Sequence, residues 1–476
     1  MRDFDLTVIG GGAGGLNVAS GAAQLGARVA LIEKNKLGGD CLYYGCIPTK
    51  ALIRSAKIAS LIKRSKEYGL NETNISFDFK NIMNHMKEVI SKVGEHDDPK
   101  RFENMGVQVF FGDGRFIDPH TFEFDGKKIT SRKFVISTGS RAVAIPIKGL
   151  ENIKYLTSES ALELDYLPKS IIILGAGPIG LEFAQVFARF GSKVTVIEKM
   201  GQILPREDKE IADALESILE EEGIDIYTCV DVDQVEQNEG QKGIEVAAAC
   251  NGQKKTFQAD EFMIAIGRAP NLEGLNLEAA GVKIEKKSIT VNSAMRTTAR
   301  NIWACGDVTG HYLFTHVAEY QAGLVVANAL IPFIKRKANY RVVPWVTYTD
   351  PELGRVGLTE DEARQRYKHI KVYQYNVKDL DRAVIEGEDK GIIKIVCTKK
   401  GEILGAHVLA PQGGEILHEF VLAMQNNLGV RSITGTIHVY PTLSQAIRRT
   451  TNKYYAEKIF SGWIPKFTKM LIRMIG

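Results

Sequence analysis

The feature that most restricts this chain is one supersecondary unit written twice. Residues 5–33 run from the apolar strand DLTVIG through a glycine loop into a helix and on to the strand RVALIE. Residues 171–198 repeat that order with IIILG, a second glycine loop, LEFAQVFARFG and KVTVIE. An apolar run that turns straight into a helix through glycines, and then returns as another apolar run, is a βαβ crossover of a parallel sheet. A second echo follows each unit, because Lys133–Ser140 and Glu261–Arg268 are both apolar strands stopped by a glycine, Gly139 and Gly267. The repeat predicts an α/β chain with two Rossmann-like dinucleotide-binding domains.

Each loop carries the whole fingerprint. Gly10-x-Gly12-x-x-Gly15 is followed by Glu33 at the end of the next strand, and Gly175-x-Gly177-x-x-Gly180 by Glu198. The first glycine permits the turn, the second lets backbone N–H groups approach a pyrophosphate, and the third lets helix and strand pack closely. The diphosphate then rests on the positive end of a helix dipole, and the acid accepts hydrogen bonds from a ribose diol. Two nucleotide sites in one chain point to a hydride relay. At the second site Glu198 would repel a 2′-phosphate, so NADH is expected over NADPH, with Lys193 and Lys199 close enough to soften the repulsion.

After Asn271 the chain returns to short strands, including Ile302-Trp303-Ala304 before Cys305-Gly306-Asp307, and to a helix from about Thr315 to Leu330. From about Tyr340 the pattern changes to alternating strands, GIIKIVCT and EILGAHVLA, with a helix around Glu415 to Asn427. The expected division is therefore 1–150 and 271–340 for the first dinucleotide domain, 151–270 for the second, an α+β domain over 341–455, and a tail over 456–476. The 61 basic against 57 acidic residues leave a net charge of +4, too small for a nucleic-acid footprint. No apolar run is long enough to span a bilayer and no signal-like segment opens the chain, so a cytoplasmic protein is expected.

Six cysteines in 476 residues are not a stapling framework. Four of them, Cys229, Cys250, Cys305 and Cys397, stand alone and read as small buried hydrophobes. Cys41 and Cys46 differ, because they lie at the N-terminal end of an apolar-periodic helix, where the dipole stabilises a thiolate. A zinc site would want a second pair at similar spacing, and none is present. No resident metal is expected.

The run Gly38-Gly39-Asp40-Cys41-Leu42-Tyr43-Tyr44-Gly45-Cys46-Ile47-Pro48-Thr49-Lys50 resembles the active-site block GGxCxxxGCxPxK of the class I pyridine nucleotide–disulfide oxidoreductases, and the likeness extends over nearly the whole chain. The resemblance implies FAD at the first glycine loop, where Lys34 follows Glu33, and NAD(P)H at the second, bounded by Gly267. It implies that Cys41 exchanges with substrate, that Cys46 faces the flavin, and that Lys50 lies near flavin N5 paired with Glu182. Gly306-Asp307 would hold the ribityl and pyrophosphate part of FAD, and Thr138-Gly139 would mark the crossing between the nucleotide domains. It also implies a homodimer built on the C-terminal domain.

The likeness breaks at the proton relay. In lipoamide dehydrogenase and glutathione reductase the partner subunit supplies a histidine in His-Pro-Thr and a glutamate five residues later. Here Tyr440 and Gln445 stand at those positions. A phenol with a reference pKa of about 10 is a poor base at neutral pH. His438, two residues earlier, is expected on the same side of an extended segment as Tyr440 and is a candidate substitute. Tyrosine at that position also occurs in mercuric reductase, which suits a metal ion better than a proton-demanding disulfide. The expected activity is therefore reduction of a metal ion or small disulfide, with dihydrolipoyl dehydrogenase and a slowly turning redox sensor as alternatives. The mercuric-reductase Cys-x-x-Cys domain and terminal cysteine pair are absent from this sequence.

The tail reads as a basic amphipathic helix. Phe467, Met470, Leu471 and Met474 share one face and Lys466, Lys469 and Arg473 another, with Trp463 just upstream. Such a helix either packs on the dimer or makes weak peripheral contact with an anionic membrane.

Overall fold

The computed structural model describes residues 2–73, 75–143, 145–237, 243–250, 252–461 and 463–475. Three sheet systems follow one another along it. In the first, strands Val107–Phe111, Val29–Glu33, Phe4–Ile9 and Lys127–Ile136 lie side by side in that order and in parallel. The last of these is shared. Its first half pairs antiparallel with Thr121–Phe124, and its second half pairs in parallel with Ile302–Ala304, Phe134 opposite Ile302. The late strand thereby returns to the first sheet and brings Gly306 and Asp307 to its edge.

Where both faces of this sheet are covered its strands are apolar, as in Val29–Ile32 and Phe134–Ile136. Side chains alternate between two cores: Leu6, Val8 and Val135 pack with Leu16, Ala22 and Val325, whereas Ile9, Phe134 and Ile136 pack with Phe116, Phe122 and Leu275.

The second system repeats the architecture, with Asp225–Tyr227, Lys193–Ile197, Ser170–Leu174 and Glu261–Ile264 in parallel order, beside the antiparallel strands Val230–Gln237, Ile244–Cys250 and Gln253–Ala259. The third is a five-stranded antiparallel sheet in the order Pro344–Thr347, Glu352–Gly357, Ile403–Ala410, Ile392–Thr398, Ile370–Asn376. Helices Gly413–Gln425 and Gln445–Phe460 bury Leu417, Phe420 and Ile447 against it.

What positions the cysteines is the helix Cys46–Lys63. Leu52, Ala56 and Ala59 share a core with Phe183 and Phe187 of helix Pro178–Phe190, and with Leu353 and Leu409 of the third sheet. Ion pairs reinforce the junction. Lys57 bonds Asp350 at 3.0 Å and Glu388 at 2.7 Å, while Arg189, only 8% exposed, bonds Asp350 at 2.8 Å and Glu222 at 2.7 Å.

Two of the solitary cysteines, Cys305 and Cys397, are buried as expected, but Cys229 is exposed. It occupies a turn with φ +56°, its N–H bonded to Met200 O, so the backbone turn and not a core decides its place.

Candidate active site

The two glycine loops are built alike to the atom. Glu33 accepts from Gly11 N at 2.6 Å and Asn35 N at 2.7 Å; Glu198 accepts from Ala176 N at 2.8 Å and Met200 N at 2.8 Å. Each acid thus braces its own loop before any ribose is considered. The glycines divide into two kinds. A Cβ on Gly15 or Gly180 would lie 1.9 Å from the carbonyl oxygen of Gly10 or Gly175, so packing alone forbids one. A Cβ on Gly177 would meet no protein atom within 4 Å, and one on Gly12 only Gly39 Cα at 3.9 Å. At those two positions packing explains nothing, whereas a diphosphate resting on a helix N-terminus does. Both loops therefore fit a dinucleotide.

Around the first loop, Thr138 Oγ1 donates to Asn271 O at 2.7 Å and Asn271 N donates to Gly139 O at 2.9 Å, which pins the crossing between sheets. Gly306 N donates to Gln321 Oε1 at 2.7 Å, and Asp307 accepts from Ser140 Oγ at 2.5 Å. Burial holds the Asp307 carboxyl above its usual range, against the pull of Ser140 and Arg268. Lys34 points to solvent and pairs with Asp113 at 3.1 Å. Near the second loop Lys199 is tied to Asp231 at 2.9 Å. Gly267 precedes Arg268, whose guanidinium bonds Ser140 and reaches Asp40 at 2.8 Å, beside Cys41. That link between the second nucleotide loop region and the cysteine block is not readable from spacing, since 228 positions separate its ends.

Cys41 sits in the short helix Gly39–Tyr43 and Cys46 opens the helix Cys46–Lys63. The two thiols are free and hydrogen-bonded to each other, and Cys46 Sγ lies 3.6 Å from Thr315 Oγ1. Cys46 is the thiolate of the pair. Its thiol is pulled down from 9.0 to about 6, first by the hydrogen bond from Cys41, then, against the cost of burial, by the charge of Lys50 and the hydroxyl of Thr315. Cys41 moves the other way, because the same hydrogen bond and burial hold its proton.

Lys50 Nζ bonds Glu182 Oε2 at 2.9 Å and lies 4.5 Å from the centre of the Tyr348 ring, while Tyr348 N donates to Glu182 Oε1 at 2.9 Å. Burial works against the Lys50 charge, but Glu182 more than offsets it and the amine stays protonated. Three sequence-distant elements thus converge on Cys46.

The C-terminal candidates separate. Residues 436–444 form no strand, so the alternation that would set His438 and Tyr440 on one side does not apply. His438 turns inward, its Nε2 2.9 Å from Glu419 Oε1 and its Nδ1 3.0 Å from Thr436 O, while Tyr440 is 64% exposed. Both imidazole nitrogens are taken, and the partner carboxylate comes from a helix 19 residues upstream. Gln445 is buried and donates to the main chain, to His438 O at 2.9 Å and Val439 O at 3.3 Å.

The family model for pyridine nucleotide-disulphide oxidoreductases matches residues 4–322, and the model of that family's dimerisation domain matches residues 343–451. The chain belongs to the pyridine nucleotide–disulphide oxidoreductases. Among curated members of the family, mercuric reductase of Staphylococcus aureus is 33% identical over 448 residues, 94% of this chain and 81% of that one. Dihydrolipoyl dehydrogenase of Bacillus subtilis is 34% identical over 461 residues, 94% of this chain and 96% of that one. The solved Cu(II) complex of the HOCl-induced flavoprotein disulfide reductase RclA from Escherichia coli superposes with a TM-score of 0.86 at 30% identity, covering 95% of this chain and 100% of that one. As a member of this family the protein is an FAD-dependent enzyme with NAD(P)H as electron donor, and its dimerisation domain supports a homodimer.

The low Cys46 value gives a signed expectation. In the two-electron-reduced holoenzyme, the long-wavelength absorbance of a thiolate beside flavin should persist above pH 6 and fade as pH falls through about 6. Lys50→Met, which removes the charge that lowers it, should move the midpoint upward in a spectrophotometric titration. A wild-type midpoint at the ordinary 9.0 would contradict the assignment of Cys46 as the thiolate.

Proposed function

We propose that this oxidoreductase carries electrons from NADH to a soft metal ion through the Cys41–Cys46 pair. FAD, held by the first glycine loop, Glu33 and Asp307, supplies the step that converts a hydride into two electrons for the disulfide. The residues of the chain do the rest. Cys46 is the thiolate facing flavin, Lys50, kept protonated by Glu182, holds positive charge beside it, and Cys41 is the thiol that meets the acceptor. One Hg(II) taken to Hg(0), or two Cu(II) taken to Cu(I), uses the two electrons released when the dithiol closes to a disulfide.

The observation that carries this reading is the missing proton relay. A disulfide acceptor leaves as thiolates that must be protonated, and that needs a base-acid near neutral pH. Here the relay positions hold Tyr440 and Gln445, and His438 is committed to Glu419 and Thr436. A metal ion needs ligation by thiolate and phenolate oxygen instead, and no proton. The names of the relatives agree in kind, mercuric reductase and a Cu(II) complex of a flavoprotein reductase. NADH is the expected donor because the Glu198 carboxylate at the second loop would repel a 2′-phosphate, and Lys199, which could soften that repulsion, is paired with Asp231.

The test is steady-state oxidation of NADH and NADPH against Hg(II), Cu(II), glutathione disulfide and lipoamide, with Tyr440→His alongside. NADH should be used at least about tenfold better than NADPH, the size of one unscreened like-charge contact. Hg(II) or Cu(II) should outpace both disulfides, and Tyr440→His should narrow that gap. Rapid turnover of lipoamide by the unaltered enzyme would overturn the reading.

A further inference from the structure

The helix Ile464–Ile475 takes no part in this redox chemistry, and none of its described side chains is buried. Trp463 is 69% exposed, Met474 66% and Ile475 84%. Lys466, Lys469 and Arg473 line the opposite side of the helix, all exposed. From Lys458 to the last residue the sequence carries four cations and no carboxylate side chain. The nearest acid upstream, Glu457, is already bound by Lys371 and Tyr373.

An apolar strip of this size calls for a cover. The matched dimerisation domain ends at residue 451, ahead of this helix. A second copy of the tail would bring three more cations and no acid, adding like charge that nothing in either tail offsets. An anionic bilayer reverses that sign and accepts the aromatic and aliphatic strip in the same step.

A second feature agrees. Between this helix and the end of helix Gln445–Phe460 lies an open crease of about 450 Å³, lined by Ile459, Phe460, Ile464 and Ile472 together with Lys469 and Arg473. Apolar walls beside two cations suit a lipid that brings an acyl chain and a phosphate together.

We propose that the helix Ile464–Ile475 docks the enzyme on the surface of an anionic lipid bilayer. It lies in the headgroup region, Trp463, Phe467, Met470 and Met474 inward and the three cations level with the phosphates. It does not cross, since no helix among the described residues is long and apolar enough to do so.

The experiment uses the full-length holoenzyme with vesicles of phosphatidylcholine, with and without phosphatidylglycerol. The protein should sediment with the anionic vesicles only, and high salt should release it. K466E/K469E/R473E should weaken that binding by about a hundredfold or more, at about fivefold for each cation. F467S/M470S should weaken it without changing charge, and both variants should oxidise NADH at the unaltered rate. Trp463 emission should shift to shorter wavelength on binding, a shift absent from Trp463→Phe. Recovery of the unaltered protein in the supernatant with anionic vesicles, or equal binding to neutral ones, overturns the proposal. So does conversion of the dimer to monomer in analytical ultracentrifugation by K466E/K469E/R473E, which would make the tail a subunit contact.

Discussion

Cys41→Ser enzyme is expected to keep its flavin and to accept hydride from NADH, yet to lose at least about a hundredfold in acceptor reduction. The substitution is informative because of how the two thiols share one proton. Cys41 donates to Cys46 and so sets much of the Cys46 value near 6. A serine hydroxyl in the same place still donates, and the Lys50 charge and the Thr315 hydroxyl remain. The charge-transfer thiolate should therefore survive while the disulfide cannot form. Anaerobic titration should show the variant consuming one NADH equivalent fewer than the unaltered enzyme, and stopped-flow should show its flavin still reduced. Acceptor reduction at the unaltered rate would remove the dithiol from the route and leave electrons passing directly from flavin.

The parts of this site that the sequence discloses are those where one backbone conformation needs one residue type. Gly15 and Gly180 are of this kind, since any side chain would strike a carbonyl oxygen at 1.9 Å. So are Glu33 and Glu198, whose distance from their loops is fixed by the length of the crossover helix. The helix Thr315–Leu330 spans the residues expected of it. What spacing cannot disclose is closure over long separations. Arg268 reaching Asp40, Tyr348 N reaching Glu182, and Thr315 reaching Cys46 each depend on how the three sheet systems meet, and no local rule states that. His438 fails for a related reason. Alternation assumes a strand, and a loop whose histidine finds Glu419 on another helix has no such alternation. That Glu33 and Glu198 accept hydrogen bonds from their own loops is not legible in spacing, because it needs the turn's N–H directions.

Lys394→Met is expected to cost about 3–5 kcal/mol of stability, the usual consequence of leaving buried charge without its counter-ion. Lys394 lies on the central part of the third sheet, 3% exposed, and bonds Asp208 at 2.8 Å, Glu360 at 2.8 Å and Glu210 at 3.0 Å. Asp208 is itself 3% exposed, whereas Glu210 is 48% exposed and contributes little through water. Methionine fills the volume of the lysine stem, so the loss measures charge and not a cavity. Two carboxylates would then face each other beside His407, which burial holds at about 4 and therefore neutral, unable to replace the lost cation.

The pH dependence separates this account from simple mispacking. Burial raises Asp208 and Glu360, but Lys394 together with the Glu360 N–H and His407 at Asp208, and with Arg364 at Glu360, outweighs it and holds both below the usual carboxylate range. Lowered carboxylates give stability that is present above their unfolded value and lost as pH falls through the folded one. The unaltered protein should lose stability on acidification through that range, and Lys394→Met should lose less of it, or gain. Adding Asp208→Asn should recover part of the deficit at neutral pH. Urea unfolding at several pH values reads all three, and a pH-independent deficit would refute the electrostatic origin. The effect should also reach the site: Glu207, next to Asp208, accepts from Trp345 Nε1 at 2.6 Å, Trp345 stacks on Phe314, and Phe314 precedes the Thr315 that touches Cys46. A loosened Lys394 junction should therefore raise the Cys46 titration midpoint in the folded variant, which a purely global loss of stability would leave unchanged.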